Sequence, residues 1–60
     1  MTPEQTAELA QIEATLRTTR DEMRTLAKEL TGNEKGNGMV VADDITVCLD
    51  DIIILREQGA

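Results

Sequence analysis

An uninterrupted heptad constrains this chain more than any other feature. Leu9, Ile12, Leu16, Thr19, Met23, Leu26 and Leu30 follow one another at spacings of three and four, the pattern of a helix packed along its length against another helix. Every position of that seam but Thr19 is apolar. A chain of sixty residues buries such a seam only by folding back on itself, by pairing with another chain, or by both.

At this size the surface buried on folding is small, and disulfides, a metal or oligomerisation usually supplement it. Cys48 is the one cysteine and there is no histidine, so neither a disulfide framework nor a Cys/His zinc cluster is expected. No metal and no cofactor is anticipated, and self-association into a homodimer or higher oligomer becomes the expected source of extra stability. Phe, Tyr and Trp are absent, so the apolar burial falls to Leu, Ile, Val and Met, which suit ridge-and-groove helix packing.

The first helix announces its start. Thr2 is an N-cap hydroxyl, Pro3 stands at the first helical position, Glu4 is an acid in the first turn, and Gln5 occupies the reach-back position of a capping box. From there to Leu30 no glycine or proline interrupts a run rich in Ala, Glu, Gln, Arg and Leu, and propensity agrees with periodicity. The stretch 31–38 holds three glycines and two asparagines, which predicts a loop.

The second segment, from about Met39 to Gln58, is rich in Val and Ile and has some strand propensity. Spacing favours a helix. Val41, Ile45, Cys48, Ile52 and Leu55 continue the four-three alternation, and Ala42, Leu49 and Ile53 widen it into an apolar arc of roughly 160°. Asp43 and Asp50 stand seven apart, as do Asp44 and Asp51; a helix stacks each pair, whereas a strand scatters them. The predicted fold is thus all-α, one domain over 1–60: helix about 3–30, loop 31–38 and helix about 39–58, an antiparallel hairpin that self-associates into a helical bundle.

Three groups of residues stand out as candidate surfaces. Arg17, Arg20, Arg24 and Lys28 lie within about 80° of one another on the first helix, a basic stripe able to pair with neighbouring acids or to grip a phosphate or carboxylate. Val40, Val47 and Ile54 repeat at seven on the far side of the second helix, bordered by Asp43 and Asp50, and suggest a contact with a protein partner. Folding back at the predicted loop sets Arg17 and Arg20 level with Asp50 and Asp51, and Arg24 and Lys28 level with Asp43 and Asp44. It also leaves residues 2–12 overhanging, with Leu9 and Ile12 bare; together with Leu16 and Met23 of the same heptad they are the candidate seam between subunits.

Twelve acidic residues against six basic, a formal charge of −6, oppose attraction to duplex nucleic acid or anionic membrane. The lone cysteine and the lack of a long apolar run point to a cytoplasmic protein. Without histidine, a Ser/Cys–base pair, a glycine-rich phosphate loop or a carboxylate dyad, no enzyme is expected. In size and style such a chain resembles the small regulators and inhibitors of phages and plasmids, which act by occupying a partner protein. The alternative expectation is a sequestering protein that holds an anionic small ligand or nucleotide on the arginine stripe between subunits.

Overall fold

In the computed structural model, which describes residues 1–59, the chain is a hairpin of two packed α-helices, α1 (Pro3–Glu29) and α2 (Gly32–Gln58), each 27 residues long. The start of α1 follows from its first residues. The Thr2 hydroxyl accepts the Gln5 N–H at 3.1 Å, and the Thr2 N–H donates to Gln5 Oε1 at 2.8 Å, so two backbone donors that a helix start leaves open are satisfied reciprocally. The Val/Ile-rich segment 39–55 is helical throughout.

The predicted loop 31–38 is corrected by the structure. Leu30 and Thr31 are extended, Gly32 takes a left-handed φ of 59°, and α2 is already under way where the sequence suggested a flexible connection. A left-handed residue is costly for anything but glycine, so Gly32 serves the turn itself. The remaining glycines cost helix propensity, about 1 kcal/mol each. Gly38 offsets that cost by contact: an added Cβ there would lie 3.0 Å from Ala27 Cβ and 3.3 Å from Met23 Cε. Gly38, Ala27 and Ala42 are all buried, and these small residues let the two backbones approach closely near the turn.

Starting α2 seven residues early removes the predicted overhang. The two helices match in length, the Met1 ammonium donates to the Gly59 carbonyl at 3.2 Å, and Leu9 is buried within the hairpin. Residues 2–12 therefore run alongside the chain's own second helix, with Leu9 buried against it and the others exposed. The register changes with it.

The seam is also rotated. Along α1 and its C-cap the less exposed residues are Leu9, Glu13, Leu16, Arg20, Met23, Ala27 and Leu30, still alternating by four and three, with Arg24 half-buried beside them; Glu13, Arg20 and Ala27 stand where Ile12, Thr19 and Leu26 were expected. Along α2 the matching positions are Gly38, Ala42, Ile45, Leu49, Ile52 and Arg56, flanked by Met39, Thr46 and Ile53. Ile12, Leu26, Val41 and Leu55 remain between 46% and 48% exposed. A single layer of two helices cannot enclose both flanks of its seam, and the hairpin is a plate of 45 × 16 × 8 Å. Its 4405 Å² of accessible surface exceeds the about 3,900 Å² expected of a compact 6.6 kDa monomer.

Candidate interaction surfaces

The outer edge of α2 is the clearest of the sequence-predicted surfaces. Val40, Val47 and Ile54 are 56%, 58% and 52% exposed, and their column lies opposite the one occupied by Ala42, Leu49 and Arg56 against α1. At about 100° per residue, Asp44 and Asp51 border the ridge on one side and Asp43 and Asp50 on the other. All four aspartates are exposed. Adjacent carboxylates diverge around the helix, and among the described residues no group of three acids or cysteines converges on a metal-sized point.

The basic stripe is split by the fold. Arg20 lies in the seam, its side chain 23% exposed, and its Nε donates to Asp21 Oδ1 at 3.1 Å. Arg17 pairs with Glu13 one turn earlier at 3.7 Å. Arg24 and Lys28 make no ion pair among the described residues. The expected pairing with Asp43, Asp44, Asp50 and Asp51 does not form: all four aspartates are exposed on the outer side of α2, away from α1. No cavity opens on the hairpin among the described residues, so within one chain the stripe is a face and not a groove.

Of the candidate seam between subunits, Leu9 is buried and Leu16 and Met23 are half-buried inside the hairpin, while Ile12 faces outward. One ion pair escapes a reading by periodicity of apolar residues. Glu13, its side chain only 14% exposed, meets Arg56 Nη1 at 3.1 Å through Oε1 and accepts a long hydrogen bond of 3.4 Å from the same nitrogen at Oε2. The Oε1 contact is electrostatic, without hydrogen-bond geometry. The available signal was the heptad column Ala42, Leu49, Arg56, which places a cation in line with two core residues. Glu13 thus sits between Arg17 and Arg56, a charged clasp across the open end of the hairpin.

No helix is long and apolar enough to cross a membrane among the described residues. No protein-family model, curated protein or solved structure matches this chain.

Proposed function

We propose that the protein is a noncatalytic, cytoplasmic helical hairpin that self-associates and acts by occupying a partner protein, as a regulator or inhibitor, through the outer edge of α2. The observation that carries this reading is the ridge of Val40, Val47 and Ile54, aliphatic residues left more than half exposed between two columns of aspartate. Apolar side chains rimmed by charge are the common make-up of a protein-binding surface: the aliphatic centre contributes affinity and the acids select and orient the partner. Self-association covers other apolar residues and gives a bundle of two or more hairpins.

The test is capture of a defined partner by the wild-type chain and by two variants. Val47→Lys and the pair Asp43→Lys with Asp50→Lys should each abolish capture while helicity by circular dichroism is unchanged. Capture unaffected by either variant would refute the assignment of this edge.

A second reading is favoured by one observation: Arg24 and Lys28 carry no ion pair among the described residues, and Arg17 lies on the same flank. On this reading the stripe holds an anionic small ligand or nucleotide between subunits. Native mass spectrometry of the freshly purified protein reads this directly. A retained anionic species lost on replacing Arg17 and Arg24 by alanine, with the oligomer intact, would favour the ligand over the protein partner.

A further inference from the structure

We propose that one flat face of the hairpin, the strip formed by Ile12, Thr19 and Leu26 of α1 with Val41, Cys48 and Leu55 of α2, is where a second copy of the chain docks in a two-fold dimer. The inference deepens the self-association in the proposed function and is independent of the partner-binding edge.

The geometry of an antiparallel pair places these six residues together. Each triplet stands one position before a seam triplet, Glu13, Arg20 and Ala27 on α1 and Ala42, Leu49 and Arg56 on α2. Each therefore lies about 100° from that triplet, to the same side of its own seam. In antiparallel helices, flanks of the same sense share one face. Along the plate the order is Leu55, Ile12, Cys48, Thr19, Val41, Leu26, alternating between helices.

Three properties of the strip select a second copy as its occupant. First, it is free of charge: none of the six is ionic, whereas the opposite flank carries Arg17 and Arg24. Its central hydroxyl is already satisfied, because Thr19 Oγ1 donates to the Thr15 carbonyl at 2.9 Å, so covering Thr19 leaves no lost donor. Second, it is self-complementary. Large aliphatic residues stand at both ends and the small Cys48 and Thr19 in the middle. A two-fold axis through that middle sets Leu26 beside the partner's Leu55 and Ile12 beside the partner's Val41, as an isologous contact demands. Third, the area allows it. The whole 45 × 16 Å face, the strip with its flanking residues, bounds the contact at about 700 Å² per copy and about 1,400 Å² for the pair, and that bound lies within the about 1,200–2,000 Å² of stable interfaces. The dimer is then two stacked plates, a four-helix bundle, and both the α2 edge and the arginine flank stay open.

The experiment uses the intact chain and its single thiol. Sedimentation equilibrium from low to high micromolar concentration should show the mass rising from 6.6 kDa to twice that. Over the same range the iodoacetamide alkylation rate of Cys48, exposed in the single hairpin, should fall at least about tenfold as the strip is covered. Thr19→Arg places like charges near the axis and should weaken the dimer at least about 100-fold, while Val47→Lys on the outer edge should leave it intact. A 6.6 kDa species throughout, a Cys48 rate independent of concentration, or a dimer lost in Val47→Lys but kept in Thr19→Arg would overturn the proposal. The native-chain alkylation decides even if Thr19→Arg fails to fold. A monomeric strip variant that still captures a protein partner leaves the α2-edge reading standing, and an intact dimer that captures none overturns that reading alone.

Discussion

Replacing Gly36 by alanine should stabilise the hairpin, while the same change two residues later should not. Both glycines lie inside α2, where glycine costs about 0.8–1.0 kcal/mol relative to alanine. At Gly36 an added Cβ meets nothing within 4 Å, so the full propensity gain is realised, a rise in Tm of about 4–8 °C for a chain this small. At Gly38 the new methyl would stand 3.0 Å from Ala27 Cβ, an atom fixed directly to the α1 backbone that cannot rotate aside. The helices must part by a few tenths of an ångström, at an overpacking cost of about 1–3 kcal/mol, which cancels or exceeds the gain. Gly38→Leu should lower stability by at least about 2 kcal/mol, and Gly32→Ala by about 1 kcal/mol because its φ of 59° disfavours a side chain. Thermal melts followed by circular dichroism, all at one chain concentration, measure the series. A Gly36→Ala variant that melts at or below the wild-type temperature would show that 32–38 is not helical. A Gly38→Ala variant stabilised as much as Gly36→Ala would show that the close contact with Ala27 does not exist.

Far-ultraviolet circular dichroism should report helix over about nine-tenths of the chain, as two helices of 27 residues in sixty require; a value near three-quarters would restore the loop. Arg56→Ala should cost about 0.5–1.5 kcal/mol, since the Glu13 carboxylate loses its nearer cation but the Arg56 side chain is 42% exposed and its contribution is screened by solvent. Glu13→Leu should be close to neutral, because an apolar residue fills a seam position, and chemical denaturation separates the two cases. Raising salt from about 0.05 to 0.5 M should tighten the dimer, because Glu8, Glu22, Glu29, Asp44 and Asp51 rim the proposed docking strip and repel their copies. Sedimentation showing the dimer weakened by salt would point instead to a contact made by the arginine flank against aspartates.

The helix start at Thr2 to Gln5 was legible because capping is local: four adjacent residues supply the hydroxyl, the fixed φ, the acid and the reach-back amide. The helical state of 39–55 was legible from the seven-residue spacing of its aspartates, which outweighed the strand propensity of Val and Ile. So was the exposed ridge of Val40, Val47 and Ile54, since residues opposite a seam follow from the same count. The start of α2 was not legible, because Gly32, Gly36 and Gly38 have the local chemistry of a loop, and only the approach of Ala27 makes a glycine at position 38 useful inside a helix. That contact goes with the new register and with the closed overhang at residues 2–12, while the four aspartates stay apart from the arginines because they face outward from α2. The rotation of the seam was decided the same way. Periodicity defines an apolar arc, but within an arc wide enough to hold both Leu26 and Ala27 the partner helix settles where the backbones come closest. Ala27, Gly38 and Ala42 drew the axis of contact toward the small residues and turned Ile12, Leu26, Val41 and Leu55 outward.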